Sequence, residues 1–362
     1  MALSWEGVRR ILAVRLDNIG DLLMSTPALR ALKESLPGCE VVVLASPAGA
    51  AVARLVPLID GVIVYEAPWV RATHPREDGR ADREFIEHLR KERFDAAVVF
   101  TVATQNPLPA AMLCYLADIP RRLAHCRENP YQLLTDWVGD PDLTGTMRHE
   151  VRRQLDLVAT VGAHTADERL ALAVPEAARA DVRQRIASLG CDSASPWVVF
   201  HPGASAPSRR YRPDGFAAAA RTLAALGLPI VFTGSAEEAA LIEGIRLTMG
   251  APSHSLAGRL DLAQLAALIE SAPVLVANNT GPVHIAAAVG TPVVDLYALT
   301  NPQHTPWAVP HRVLNVEVPC RDCHTWYCPE GHHDCLDRVE PGAIVQAVLE
   351  LCPQIVCAGS AP

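Results

Sequence analysis

The sequence contains few aromatic residues, and it has fewer basic than acidic residues. Both shortages reduce the number of protein classes to which it could belong. Of its 362 residues, 5% are aromatic and 20% are charged, whereas 50% are hydrophobic. The formal net charge of −8 leaves no broad basic face, which argues against a nucleic-acid-binding protein. Alanine, valine and leucine dominate the apolar half, as in buried parallel strands covered by helices. The length suits two domains of ordinary size.

Long hydrophobic runs are also absent. The apolar stretch that begins at Ile11 is broken by Arg15 and Asp17, too early for the core of a secretory signal. No segment approaches the ~20 apolar residues that are needed to cross a bilayer. The sequence therefore predicts a cytoplasmic protein, with at most peripheral contact at the inner face of the cell membrane.

Two common phosphate-binding motifs are missing as well. The turn after the first predicted strand reads LDNIGD instead of G-x-G-x-x-G, so a dinucleotide-dependent dehydrogenase loses its main support. No P-loop of the form G-x-x-x-x-G-K-[ST] occurs. Asp140-Pro141-Asp142 matches a D-x-D metal-binding pattern, but its turn-rich surroundings favour an ordinary turn.

Short β-branched segments alternate with helical segments twice along the chain. The first set of strands is predicted at 11–16, 40–46, 62–66 and 95–100, and the second at 197–203, 229–235, 274–281, 292–298 and 313–318. This alternation predicts an α/β protein with two doubly wound, Rossmann-like domains and right-handed connections. The small-residue segment 189–196 predicts the boundary between a domain at 1–188 and a domain at 189–362. Two such domains are expected to face a central cleft, where the carboxyl ends of their strands bind ligands.

The segment Asn278-Asn279-Thr280-Gly281-Pro282-Val283-His284 joins a strand end to a helix start. Thr280 is expected at the N-cap, and Pro282 stands where its missing N–H has no consequence. Gly281 permits close approach of a ligand to the backbone, and His284 lies one turn into the helix. The free N–H groups of such a helix start suit a diphosphate, although a well-capped helix without a ligand is the simpler alternative.

Two further strand-to-helix turns carry groups that suit a nucleotide. In 201–216, Gly203 and Ser205 form a flexible turn, and guanidinium groups that can bind phosphate follow at Arg209, Arg210 and Arg212. In the next turn, Gly234 precedes Glu238, a carboxylate that can bind ribose hydroxyls. Solvated arginines and a helix-end glutamate are the simpler alternatives. Three such turns at one sheet edge predict a nucleotide-binding site.

Gly20 and Asp21 follow the first predicted strand and enter the first helix. Asp21 either interacts with the helix N-terminus or accepts a proton from a sugar hydroxyl as a general base. Either role requires the carboxylate at the carboxyl edge of the first sheet.

These segments together resemble glycosyltransferase family 9, the ADP-heptose:lipopolysaccharide heptosyltransferases. The resemblance extends over nearly the whole chain and rests on four segments in the same order: ILAVRLDNIGDLLMSTPALR, HPGA, FTGSAEE and NNTGPVHIAAAVGTP. It implies a GT-B fold and an inverting transfer that requires no cofactor or metal. It also implies an ADP-heptose donor bound by the C-terminal domain, and a glycan or glycolipid acceptor.

The resemblance assigns roles to individual residues. Asp21 falls on the general base, and Arg209 takes the place of a lysine that contacts the donor phosphate. Thr280 and Gly281 fall on the diphosphate loop, and Glu238 falls on the ribose ligand. Asn279 departs from the family pattern, because many members carry aspartate there. The resemblance assigns no acceptor-side residues, and Arg121 and Arg122 are candidates for contact with an anionic acceptor only by their position near the end of the first domain.

The chain has ten cysteines, and four of them form a motif near the C-terminus. Cys320, Cys323, Cys328 and Cys335 lie within sixteen residues, interleaved with His324, His332 and His333. Four thiolates at this spacing predict a structural zinc ion or an iron–sulfur cluster, and redox-labile or unligated thiols are the alternative. The other six cysteines are expected to be small buried residues.

Three other functions are compatible with parts of this pattern. A glycosyltransferase could act on a small natural product, and a sugar-nucleotide epimerase could share the GT-B fold. A metal- or redox-sensing protein could be built around the four clustered cysteines, but it would leave the Asp21 turn without a role.

Overall fold

The computed structural model describes residues 5–70, 76–140, 142, 147–191 and 196–353. The chain divides into two compact units, Met1–Ala171 and Leu172–Pro362. Within the described residues, each unit contains one six-stranded sheet in which every strand pair is parallel. The prediction of a doubly wound α/β protein is thereby confirmed.

The first unit has the sheet order β3-β2-β1-β4-β5-β6. Its strands are β1 (Arg10–Arg15), β2 (Glu40–Ala45), β3 (Gly61–Val64), β4 (Ala96–Val99), β5 (Arg121–Cys126) and β6 (Asp136–Gly139). Its helices are α1 (Ile19–Ser35), α2 (Pro47–Ala53), α3 (Arg80–Glu92), α4 (Leu108–Leu116) and α5 (Glu150–Ala159). The strand order reverses between β1 and β4, so the carboxyl ends of these two strands form the crevice in which such sheets bind ligands.

The second unit repeats this arrangement with the order β12-β11-β10-β7-β8-β9. Its strands are β7 (Val198–His201), β8 (Ile230–Phe232), β9 (His254–Ser255), β10 (Leu275–Asn278), β11 (Val293–Leu296) and β12 (His311–Leu314). Its helices are α6 (Glu176–Ser188), α7 (Pro213–Ala225), α8 (Ala239–Met249), α9 (Leu262–Ser271), α10 (Gly281–Val289), α11 (Asp334–Asp337) and α12 (Pro341–Leu351). Here the strand order reverses between β7 and β10, which places the corresponding crevice at His201 and Asn278.

The central strands of both sheets are continuous apolar segments whose side chains contribute to the cores of the two units. Leu12 and Val14 of β1 are buried with Val42 of β2 and Val99 of β4, and Phe200 of β7 is buried in the second core. Strands that are covered by helices on both faces can be apolar at every position, which is why alternation is not visible in their sequences. None of the helices in the described residues is both long enough and apolar enough to cross a membrane.

The division between the units lies earlier than the boundary predicted after residue 188. Helix α6 belongs to the second unit, because it packs on α9. The Arg179 guanidinium lies 2.6 Å from the Glu270 carboxylate, and Gln264 Nε2 donates to Asp181 Oδ2 over 2.8 Å. In the predicted linker 189–196, residues 192–195 lie outside the described residues.

Candidate functional site

Asn278 joins two of the predicted ligand-binding turns at the crevice of the second sheet. Its side chain is buried, its Oδ1 accepts from the Tyr211 N–H over 3.0 Å, and its Nδ2 donates to the Pro202 carbonyl over 2.7 Å. The last residue of β10 thus fixes the turn that follows β7. Asn278 was part of the motif in the sequence, but its structural role depends on contacts that the motif does not show.

Thr280 occupies the N-cap of α10, as predicted. Its backbone is extended, and its side chain makes no capping hydrogen bond in the described structure. Because the hydroxyl does not serve the helix, it is available to a ligand at the positive end of α10. Gly281 and Pro282 form the first turn, whereas His284 is buried in the helix. A ligand contact by His284 stays a prediction.

The three arginines of the turn after β7 have different surroundings. Arg210 Nε donates to the Ala204 carbonyl over 2.8 Å, and Arg212 Nε donates to the Asp337 carbonyl over 3.0 Å. In the part of the chain that the structure describes, the Arg209 guanidinium makes no hydrogen bond or ion pair. Arg209 is therefore the arginine whose guanidinium is not hydrogen-bonded within the described residues. Arg210 and Arg212 each use Nε on a backbone carbonyl, and an anion contact by either of them stays a prediction.

Gly203 and Gly234 make room for the side chain of Glu238. A Cβ atom on Gly203 would overlap Glu238 Oε1, and one on Gly234 would lie 2.9 Å from Glu238 Oε2. Glu238 Oε2 also accepts from the Ser235 N–H over 2.8 Å. Two backbone segments thus approach this carboxylate closely at the same sheet edge, and Ser205 is exposed in the turn after Gly203.

The imidazole of His201 lies beside this carboxylate, with Nε2 4.0 Å from Glu238 Oε2. Its Nδ1 is 2.9 Å from Thr233 Oγ1. Burial lowers the pKa of His201, against the opposing effect of Glu238. A neutral imidazole leaves the negative charge of Glu238 available to polarise hydroxyl groups of a ligand.

Asn279 is paired with a buried acid that lies outside the motifs recognised in the sequence. Its Nδ2 donates to Asp295 Oδ2 over 3.0 Å and to the His304 carbonyl over 2.9 Å. Asp295 is fully buried in β11, and burial raises its pKa to about 8 against the hydrogen bond from Asn279 and the charge of Arg209. The carboxyl group absent from position 279 is therefore present on the adjacent strand. The signal in the sequence was one acidic residue inside the apolar segment PVVDLYA.

In the first unit, a buried arginine gathers three acidic side chains at the carboxyl end of β1. Arg15, with 1% of its side chain exposed, lies 2.8 Å from Glu150, 3.2 Å from Asp17 and 3.4 Å from Asp21. Gln154 Nε2 donates to Glu150 Oε1 over 2.7 Å, which anchors the start of α5 in the cluster. In the sequence, Arg15 and Asp17 indicate only that the apolar run is too short for a signal segment, because their partner Glu150 lies far along the chain.

Asp21 makes the helix-end contact that was predicted as one alternative, and its role as a general base stays a prediction. As the third residue of α1, it accepts from the Asn18 N–H over 3.2 Å, which is a helix-end contact. Its other carboxylate oxygen faces Arg15, and 16% of its side chain is exposed. Beside it, burial raises the pKa of Asp17 to about 6, although Arg15 opposes this shift. These contacts orient Asp21, and part of its side chain remains exposed.

Comparison with known proteins identifies the family. The model of glycosyltransferase family 9 (heptosyltransferase) matches residues 83–333. The chain belongs to this family. It is therefore a glycosyltransferase, and the resemblance that its motifs indicated is confirmed.

Relatives of this glycosyltransferase match over nearly their full length. Lipopolysaccharide heptosyltransferase 2 of Salmonella typhimurium is 27% identical, over 94% of this chain and 98% of the relative. The crystal structure of a family 9 glycosyl transferase from Veillonella parvula has a TM-score of 0.79 at 20% identity, over 98% and 99% of the two chains. The structure of the E. coli ADP-heptose lps heptosyltransferase II has a TM-score of 0.73 at 24% identity, over 95% and 99%. These likenesses show that this glycosyltransferase has the GT-B fold.

Three other candidates in this glycosyltransferase have structural roles or lie away from the crevice. The prediction that Arg122 contacts an acceptor is wrong, because its guanidinium donates to the carbonyls of Ile119, Gln132 and Leu133. Arg121 lies at the amino end of β5, at the edge opposite the crevice. The D-x-D pattern is a buried ion-pair cluster rather than a simple turn, since Asp140 and Asp142 lie 2.9 and 3.2 Å from Arg153. Its middle residue, Pro141, lies outside the described residues.

The structure does not gather the four clustered cysteines into a metal site. Within the described ranges, no group of three or more Cys, His, Asp or Glu residues is arranged to hold a metal ion. The predicted ligands Cys320, Cys323, Cys328 and Cys335 are partly exposed free thiols. Five other cysteines, Cys39, Cys114, Cys126, Cys191 and Cys352, are buried as expected, and Cys357 lies outside the described residues. Zinc or an iron–sulfur cluster at Cys320–Cys335 stays a prediction that this geometry does not support.

Proposed function

We propose that this glycosyltransferase transfers a heptose from ADP-heptose to an acceptor hydroxyl, with inversion at the anomeric carbon, in the synthesis of a lipopolysaccharide core or a related glycoconjugate. Near-full-length relatives named lipopolysaccharide heptosyltransferase 2 support the sugar and the acceptor class. Structures of the E. coli heptosyltransferase WaaC with ADP and with ADP-2-deoxy-2-fluoro heptose share the fold, with TM-scores of 0.65 and 0.66. The proposal takes the adenine base from these proteins.

The observation that carries the proposal is the set of available groups at the crevice of the second sheet. In the described residues the Arg209 guanidinium makes no hydrogen bond or ion pair, and the Thr280 hydroxyl makes no capping hydrogen bond, so both suit a diphosphate. Glu238, in the space left by Gly203 and Gly234, suits the ribose hydroxyls. One helix start, one cation and one carboxylate at a single sheet edge match the parts of a nucleoside diphosphate.

In the proposed reaction, Asp21 accepts the proton of the acceptor hydroxyl while that oxygen attacks the anomeric carbon. A sugar hydroxyl is a poor nucleophile at neutral pH, so a positioned carboxylate accelerates the step. The contacts with Arg15 and the Asn18 N–H orient the base. Arg15 itself is buried among carboxylates and is assigned no contact with the substrate.

The second unit stabilises the leaving group in this mechanism. As the glycosidic bond to the diphosphate breaks, negative charge accumulates on the diphosphate oxygens. The cation of Arg209 and the start of α10 stabilise that charge from fixed positions. The mechanism assigns no step to the cysteines of 320–335.

One incubation series tests the function. The protein is mixed with ADP-heptose, with and without a glycan or glycolipid acceptor. The products are identified by mass spectrometry, and the configuration at their anomeric carbon is determined. The proposal predicts an inverted product only when the acceptor is present. A changed donor sugar without acceptor indicates an epimerase, and transfer only to small natural products indicates another acceptor class. Calorimetric titration with ADP, UDP and GDP checks the base, and stronger binding of UDP or GDP would contradict ADP-heptose.

A further inference from the structure

Ser208 attaches the cysteine-rich segment 320–335 to the turn that carries Arg209. The buried Ser208 donates its backbone N–H to the Trp326 carbonyl over 3.1 Å and its hydroxyl to the Thr325 carbonyl over 2.8 Å. Arg209 is the next residue, at the end of the short helical turn Pro207–Arg209. The backbone from which the Arg209 side chain extends is therefore fixed by a segment more than a hundred residues away in the sequence.

The same segment is attached to a second loop at this edge of the sheet. The Asp322 N–H donates to the Leu299 carbonyl over 2.7 Å, and the His324 N–H donates to the Thr300 carbonyl over 2.8 Å. Asp322 and His324 have left-handed backbones, with φ of 58° and 50°, a conformation that is unfavourable for residues with a Cβ atom. Tertiary contacts maintain this conformation, so the segment is a built part of the second unit.

Contacts inside the segment connect its thiols to the Ser208 attachment. The Thr325 hydroxyl donates to Cys323 Sγ over 3.3 Å, and Cys320 Sγ lies 3.8 Å from His332 Nε2. Val316 donates its N–H to the Cys335 carbonyl over 2.9 Å, which holds the end of the segment beside the strand region. The carbonyls that accept from Ser208 thus belong to a folded loop with its own internal support.

We propose that the cysteine-rich segment is a positioning element of the donor site, which acts through Ser208 on Arg209. The inference rests on the proposed function, because it takes Arg209 as a ligand of the donor diphosphate. An arginine whose guanidinium makes no hydrogen bond to the protein loses conformational freedom when it binds an anion, and a fixed backbone reduces that loss. Ser208 has no contact with substrate in this proposal, and its role is to hold the start of the Arg209 side chain in place.

A double-mutant cycle on the full chain tests the proposal, with ADP affinity measured by calorimetry. Ser208→Ala is expected to weaken ADP binding by about three- to tenfold, the range of one lost hydrogen bond. Arg209→Ala is expected to weaken it more. Since Ser208 acts only through Arg209, the double variant should bind no more weakly than Arg209→Ala. Ser208→Thr keeps the hydroxyl and should recover most of the affinity.

A matched control removes a similar bond elsewhere in the second unit. The Ser271 hydroxyl donates to the Leu268 carbonyl over 2.9 Å at the end of α9, and Ser271→Ala should leave ADP affinity unchanged. Melting temperatures of all variants separate a change in affinity from a change in folded fraction.

The outcomes distinguish this proposal from the proposed function. Unchanged ADP affinity in Arg209→Ala would show that Arg209 does not bind the donor, and it would contradict the positioning proposal as well. Weaker binding by Arg209→Ala together with wild-type binding by Ser208→Ala overturns the positioning role alone. The positioning role is also overturned if the losses of ADP affinity from the two single substitutions add up in the double variant. The same holds if Ser208→Ala binds less ADP only because less of the protein is folded.

Discussion

At the scale of single residues, two arginines differ in the partners that the fold places around their guanidinium groups. Arg15 is surrounded by three carboxylates, whereas in the described part of its unit the Arg209 guanidinium makes no hydrogen bond or ion pair and only its charge acts on Asp295. The first arrangement holds side chains in place, and the second leaves a cation for a ligand. Arg15 ends the apolar strand β1 and Arg209 lies in the turn after β7, and neither local sequence shows which partners the arginine has. Their different roles follow from the residues that the fold places around them.

Asp21→Asn separates a general base from a helix-end contact. Asparagine keeps the shape of the side chain but cannot take the proton, so we expect ADP binding to survive and kcat to fall by about 10²–10⁴. Loss of the helix-end charge should lower stability by about 0.3–1 kcal/mol. The measurements are kcat, ADP affinity and melting temperature on one sample.

Asp82 provides a matched control in the same unit. It occupies the third position of α3, as Asp21 does in α1, and accepts from the Tyr65 hydroxyl over 2.7 Å. Asp82→Asn should lower stability while kcat per folded molecule stays near that of the wild type. An Asp21→Asn variant that behaves in the same way would leave the mechanism without its base.

Asp295 should make stability depend on pH. Because burial raises its pKa in the folded chain to about 8, from the ordinary value of 3.8, the folded state keeps a proton that the unfolded state has released. The contribution to stability is therefore present at low pH and is lost as pH rises towards 8. Between pH 6.5 and 8 the wild type should lose up to about 2 kcal/mol more than Asp295→Asn, measured by urea denaturation. Parallel pH curves for the two proteins would contradict a buried carboxyl that titrates in this range.

At the scale of elements, the turns at the strand ends were predicted better than the weaker strands. The turns after β7, β8 and β10 were recognised because glycine, proline and capping residues act locally. Strands β5, β6 and β9 were missed, and the segment predicted at 313–318 forms β12 at His311–Leu314. β5 begins with two arginines and β9 has only two residues, so neither presents the apolar run on which the prediction relied.

Gly203→Ala tests whether the space at the start of the turn after β7, which Glu238 occupies, is needed for ADP binding. The new Cβ would overlap Glu238 Oε1 and displace the carboxylate, whose side chain is flexible enough to move at small cost in stability. If Glu238 binds the ribose, ADP binding should weaken by about 1–3 kcal/mol. Calorimetry gives the affinity and thermal unfolding the stability.

Gly244 is the matched control for this substitution. It lies inside α8, and a Cβ added there would meet no atom within 4 Å, so Gly244→Ala should raise stability by about 0.5–1 kcal/mol and leave ADP binding unchanged. Wild-type ADP affinity in Gly203→Ala would show that the position of Glu238 does not matter to the donor.

At the scale of the whole molecule, the chain repeats one sheet order in two units, and α6 belongs to the second. Val182 and Ile186 of α6 are buried, and Arg179 pairs with Glu270 of α9. A fragment that begins at residue 172 should therefore fold and bind ADP. A fragment that begins at residue 189 should be less stable by about 2–5 kcal/mol, since α9 loses its cover.

Urea denaturation and ADP titration of the two fragments measure both effects. Equal stabilities of the two fragments would support the domain boundary that was predicted from the sequence, after residue 188. A folded 172–362 fragment without detectable ADP binding would contradict a donor site carried by the second unit.

The sequence by itself determined the α/β class, the repeated strand–helix alternation and the positions of the ligand-binding turns. These features follow from hydrophobic runs and from glycine, proline and capping residues, which act on neighbours along the chain. Only the tertiary structure decided which of the three arginines leaves its guanidinium without a hydrogen bond in the described residues, where the acid beside Asn279 lies, and that Arg15 meets Glu150. It also assigned α6 to the second unit and attached segment 320–335 to Ser208. Each of these contacts joins residues distant in sequence, and no local pattern specifies such a pairing.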